Sequence, residues 1–202
     1  MDGSVKVALY GPPGSGKSSA AGILEDCCGV IGLPCVLVKL ADPLYEAQSA
    51  VYRIAGRKLD DFYQKDGELL NSLGKHIRRI SPMLLHDRFL ARLHDVRRAL
   101  GGAPSLIVCD DMRFPDHLFM RNLGFAFVRV FAPDEICLSR RQERGDLSLA
   151  SASHVTETNL YAITPDGSID NSGTLDALRR NVIDTLECLL AASAPEVRCR
   201  RG

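Results

Sequence analysis

Strongly apolar runs, each too short for a helix, fall at 5–10, 35–40, 105–109 and 125–131. Three of them stop abruptly, at Gly11-Pro12, at Ala41-Asp42-Pro43 and at Asp110-Asp111. Runs of this length bounded by turn residues read as buried strands. Between them the apolar spacing turns helical over 17–28, most of 43–100, 115–122, 134–144 and 175–192. Breaks are expected near Gly56, Gly67 and Pro82, and again at Gly101-Gly102-Ala103-Pro104. A short run around Ser168-Ile169 predicts a fifth strand, whereas 145–158 is polar and rich in Ser and Ala, as in a mobile loop. Strands alternating with helices imply an α/β fold, a parallel five-stranded sheet flanked by helices.

The 202 residues allow one domain, 1–202, and the chain can bury a core without disulfides or metal. At 46% hydrophobic and 25% charged it is a globular composition, not a disordered one. Lys plus Arg and Asp plus Glu both number 25, so no net field draws in nucleic acid or a membrane surface. The seven cysteines are odd in number and lack CxxC spacing, which speaks against a disulfide framework or a zinc site and for reduced thiols. Met1-Asp2-Gly3-Ser4 lacks the blocks of a signal peptide, and no run approaches the ~20 apolar residues of a membrane helix. The expectation is a soluble cytoplasmic protein, monomer or homodimer.

Gly11-Pro12-Pro13-Gly14-Ser15-Gly16-Lys17-Ser18 meets every fixed position of G-x-x-x-x-G-K-[ST], between a strand and a helix where that loop works. Glycines let backbone N–H groups close around phosphate, and the helix N-terminus adds favourable partial charge. Gly11, Gly14, Ser15, Gly16, Lys17, Ser18 and Ser19 are thus expected to hold ATP, with Lys17 on the β- and γ-phosphates and Ser18 on Mg²⁺. No N-K-x-D tetrapeptide follows, which speaks against a Ras-like GTPase.

Asp110 and Asp111 end the third strand on the same sheet edge, where a second acidic group holds Mg²⁺ through water; Arg113 follows and could face a phosphate. Arg140, Arg141 and Arg144 lie on one predicted helix and its end, spaced to share a face. Guanidinium forks on a mobile element suit a lid, about 134–158, that closes over phosphates.

These blocks, with Ala41-Asp42-Pro43-Leu44, Gly67-Glu68-Leu69-Leu70-Asn71-Ser72-Leu73-Gly74 followed by Arg78, Asp110-Asp111-Met112-Arg113-Phe114-Pro115-Asp116, His154-Val155-Thr156-Glu157 and Ile169-Asp170-Asn171-Ser172-Gly173-Thr174-Leu175, stand in a characteristic order. In that order the chain resembles P-loop nucleoside monophosphate kinases, most closely the deoxynucleoside monophosphate kinases of bacteriophages and bacteria. The family often has Arg and Gln where Glu68 and Asn71 stand here. Dephospho-CoA kinases share the overall plan.

The resemblance implies that Arg78, from a helical acceptor-binding region of about 43–100, grips the acceptor phosphate with Arg113 nearby. It implies further that Asp42 faces the acceptor sugar or base, that Asn171, Ser172 and Gly173 flank the donor adenine, and that Arg140 and Arg144 are lid arginines. His154 and Glu157 either order the acceptor side or belong to a polar loop. His76, His86, His94 and His117 are expected at the surface. A monophosphate acceptor is already an anionic nucleophile, so alignment and charge neutralisation suffice. A hydroxyl acceptor (dephospho-CoA or a nucleoside) would instead need a base, for which Asp42 is the candidate. A nucleotide-binding regulatory module that turns over no acceptor is the third reading.

Overall fold

The computed structural model describes residues 3–148 and 162–193. Five strands, β1 (Val5–Tyr10), β2 (Cys35–Leu37), β3 (Leu106–Cys109), β4 (Ala126–Phe131) and β5 (Gly167–Asp170), pair in the order β2-β3-β1-β4-β5. All four pairings are parallel. The helices are α1 (Lys17–Val30), α2 (Asp42–Ile54), α3 (Gly67–Ile80), α4 (Leu84–Leu100), α5 (His117–Asn122), α6 (Asp134–Glu143) and α7 (Leu175–Ser193), with a 3₁₀ turn at Phe114–Asp116. The expected α/β architecture is what the chain adopts.

Alternation along β1 shows why its run is apolar throughout. Val7 and Leu9 pack with Ala20, Leu24, Leu178 and Val182 of α1 and α7. Ala8 and Tyr10 point the other way, onto Leu85, Phe89 and Leu93 of α4. A strand buried on both faces needs apolar residues at every position. β1 and β4, the central and adjacent strands, therefore carry the P-loop and the segment into α6 out of an apolar core.

One element differs from expectation. β2 ends at Leu37 rather than residue 40, because the amides of Leu40 and Ala41 donate to the Asp111 carboxylate, 2.9 Å each, instead of to a neighbouring strand. The expected interruption of the helical stretch lies between Ile54 and Gly67, and Gly67 begins α3. Asp66 caps it, its Oδ1 accepting from the Leu69 amide at 3.1 Å, which satisfies one of the free N–H groups of the first turn. Among the described residues no helix is long and apolar enough to cross a membrane.

Candidate active site

A cavity of about 740 Å³ opens at the carboxyl edge of the sheet, where α/β proteins bind ligands. The P-loop forms one wall. Gly14 has φ +85, and a Cβ there would sit 2.2 Å from the Cys137 carbonyl oxygen, so the loop can lie against α6 only with glycine. Gly16 has φ +96 and is pressed against the Asn171 side chain. Gly14, Gly16, Lys17, Ser18 and Ser19 line the cavity, while Gly11 and Ser15 are buried behind it. The Lys17 ammonium donates to the carbonyls of Gly11 and Pro12, 2.9 Å each.

The two aspartates after β3 have different surroundings. Asp110 accepts from Ser18 Oγ at 2.9 Å and pairs with Lys39 at 2.5 Å. Burial pushes its carboxyl up, but the Lys39 charge and these hydrogen bonds outweigh it and hold the pKa below the usual range. Asp111 is turned to the protein, both oxygens taking backbone amides and one also the Cys109 thiol. Burial and then the Asp110 charge raise its pKa. Ser18 and Asp110 present hard oxygen donors side by side, a set that fits Mg²⁺; Asp111 is spent on joining β3 to the end of β2.

The cavity is also rich in cations. Arg78, Arg113, Arg140, Arg141 and Arg144 all line the cavity, together with Lys65. Arg78 forks onto Asp116, 2.8 Å at each oxygen, and Asp116 is fully buried. His86 Nε2 is 2.9 Å from the same carboxylate, and its ring stacks on Phe119 at 3.9 Å between centroids. His86 is therefore an interior partner of Asp116, not the surface residue expected. Arg144 forks onto Asp146 at 2.6 and 2.5 Å. Arg141 is buried, and among the described residues Nη1 of Arg140 is buried with no hydrogen-bond partner.

Other expected residues lie elsewhere. Asp42 does not line the cavity; its Oδ1 accepts from the Tyr63 hydroxyl at 3.0 Å, and burial raises its pKa. Tyr63 does line the cavity, near Tyr45 and under the Lys39 ammonium. Asn171, Ser172 and Gly173 do not line it either. The Asn171 amide instead donates to the buried Ser15 carbonyl at 2.8 Å and braces the P-loop from beneath, while Ser172 caps back onto Asp170. His154 and Glu157, and the lid beyond residue 148, lie outside the described residues.

Sequence reasoning missed Lys39 and Lys65. Lys39 interrupts an apolar run one residue before its end, which is a usable signal; Lys65 sits in a polar stretch, Gln64-Lys65-Asp66, that gives none.

No protein-family model matches the chain, and no curated protein matches it. Among solved structures it is similar to a sugar kinase from a Janibacter species, at 23% identity and TM-score 0.56, over 95% of this chain and 98% of that one. It is also similar to the Mycobacterium tuberculosis APS kinase CysC solved with AMPPNP and APS, at 18% identity and TM-score 0.51, over 91% and 98%. At these identities the likeness shows the fold alone.

Proposed function

We propose that the chain is an ATP-dependent phosphotransferase whose acceptor is a (deoxy)nucleoside monophosphate. One observation carries the choice of acceptor. Five arginines and Lys65 line the cavity, and every described carboxylate that lines it is already engaged: Asp110 by Ser18 and Lys39, Asp111 by backbone amides, Asp146 by Arg144. Such a wall suits a second anion and offers no ready general base. A phosphate monoester needs none, because with its second pKa near 6 it is already an oxyanion at neutral pH.

In this reading an acceptor oxygen forms a bond to the γ-phosphorus of ATP while the bond to the bridging oxygen breaks, leaving ADP and a nucleoside diphosphate. Lys17 and the P-loop amides hold the donor phosphates, and Arg140, Arg141 and Arg144 neutralise charge from the α6 side. Arg78 and Arg113 orient the acceptor, with about 43–100 as the acceptor-binding region and 134–148 as the described part of a lid. Ser18 and Asp110 would hold Mg²⁺, which when bound supplies further neutralisation of the transferring phosphoryl group.

A hydroxyl acceptor is the second reading, favoured by the raised pKa of Asp42 and its bond to the cavity-lining Tyr63. A coupled ADP-release screen over nucleoside monophosphates, nucleosides and dephospho-CoA decides. The proposal expects release that depends on a monophosphate; release with only the hydroxyl acceptors overturns it. No acceptor-dependent release with any compound would leave a nucleotide-binding module.

A further inference from the structure

Lys65 stands out because its surroundings work against it. Its side chain is half-buried at the cavity wall, and among the described residues its ammonium makes no hydrogen bond or ion pair. Burial, with the charges of Arg144 and Arg113 added, brings its pKa down to about 8; Lys39 opposes the ammonium as well. The carboxylate that favours its charged form is Asp110, already engaged by Lys39 and Ser18.

Its backbone, by contrast, is fixed on three sides. Gln48, fully buried on α2, donates from Nε2 to the Gln64 carbonyl at 2.8 Å and accepts from the Asp66 amide at 3.1 Å, bracketing Lys65 on both flanks. The Leu147 amide donates to the Lys65 carbonyl at 2.8 Å. Beside it Ser148 Oγ donates to Asp66 Oδ1 at 2.5 Å, and the Gly67 amide donates to the Ser148 carbonyl at 3.2 Å. A flexible side chain on a hydrogen-bonded backbone thus carries its cation into a wall of like charge. A half-buried ammonium without a counter-ion is costly, and the cost is repaid when an anion enters.

We infer that Lys65 is a further substrate-binding residue, taking the anionic group of the acceptor alongside Arg113. The inference rests on the reading of the acceptor as phosphorylated. Lys65→Met keeps the length and apolar stem and removes the charge, so the folded protein loses a burial cost and its Tm stays level or rises. For the monophosphate turned over fastest by the wild type, kcat/KM falls about thirty- to three-hundredfold, while ATP affinity measured without acceptor stays within about threefold. Lys65→Arg restores most of the loss, because a cation is what the position supplies. A change of less than threefold in Lys65→Met, with the wild type active on that monophosphate, overturns the assignment of Lys65 and leaves the phosphorylated acceptor standing. A wild type that turns over only uncharged acceptors overturns both. Should Lys65→Met fold poorly, Lys65→Gln takes its place, with the same fall in kcat/KM and the same steady ATP affinity expected.

Discussion

The two walls of the cavity are built in opposite ways. On the donor side the P-loop rises from β1, all of whose last four residues are buried, and α1 adds five buried residues of its own. On the side proposed for the acceptor, α3 runs fourteen residues with none fully buried among those described. Beside half-buried apolar residues such as Leu73 and Ile77, α3 is tied down by polar contacts: Arg78 on Asp116, Asp66 on Ser148 and Tyr52 on Asp66. Dense apolar burial gives a wall that opens only with the whole fold, whereas a wall with no fully buried apolar residue opens locally at smaller cost. On the proposed function, the donor geometry is then set by the folded core, and the acceptor wall has room to adapt to a ligand.

The largest effect expected is on the fixed wall. Lys17→Ala removes the P-loop ammonium and should reduce turnover at least about a thousandfold with the protein still folded. Acceptor affinity, measured by titration without ATP, should stay within about threefold. Turnover within tenfold of wild type would take the P-loop out of the mechanism and erase the division between the walls.

Next comes the adaptable wall. Arg78→Ala should lower kcat/KM for the monophosphate about thirty- to a thousandfold and leave ATP binding within about threefold. Asp116→Ala tests how that arginine is aimed. It strands His86 and Arg78 without their shared acceptor, so it should produce much of the same acceptor defect and cost about 2–3 kcal/mol of stability in denaturant unfolding. If Arg78→Ala weakens ATP as much as acceptor, the guanidinium serves the donor and the comparison fails.

The same contrast sets what the amino-acid sequence makes legible. The P-loop is eight contiguous residues, and buried strands announce themselves as apolar runs, so donor wall and sheet can be read directly. The acceptor wall depends on pairs such as Arg78 with Asp116 and Asp66 with Ser148, far apart in the chain, and no local pattern marks which charge meets which. His86 reads as a surface histidine because the carboxylate and ring it meets come from another helix and turn. Resemblance puts the backbone of 171–174 beside the adenine; that the Asn171 side chain turns inward onto Ser15 has no signal in the sequence.

That inward turn gives a smaller prediction for the donor wall. Asn171→Ala leaves the buried Ser15 carbonyl without its donor and should cost about 1–3 kcal/mol of stability. The relaxed loop should bind ATP several-fold more weakly, with acceptor affinity unmoved. A variant with normal stability and a selective loss of adenine over guanine nucleotides would return Asn171 to the base-binding role.

The smallest effect is a pH profile, and it separates the walls without a mutation. Lys65 is charged below its pKa of about 8 and neutral above it, burial being the first cause and the Arg144 and Arg113 charges the next. If its ammonium holds the acceptor, kcat/KM for the monophosphate under saturating ATP is level near neutrality and falls as pH rises through about 8, by no more than about tenfold per pH unit. ATP affinity, resting on Lys17, shows no such limb. Stability should move the opposite way. The folded-state pKa lies below the ordinary lysine value, so the burial cost is present in full below about pH 8 and is relieved as pH rises from there toward the ordinary range. Acceptor use should therefore weaken over the same interval in which Lys65 stops opposing the fold, and Lys65→Met should lack both limbs. An acceptor profile in Lys65→Met that still bends at the same pH would assign the titration to another group and leave the acceptor wall without its pH-sensitive cation.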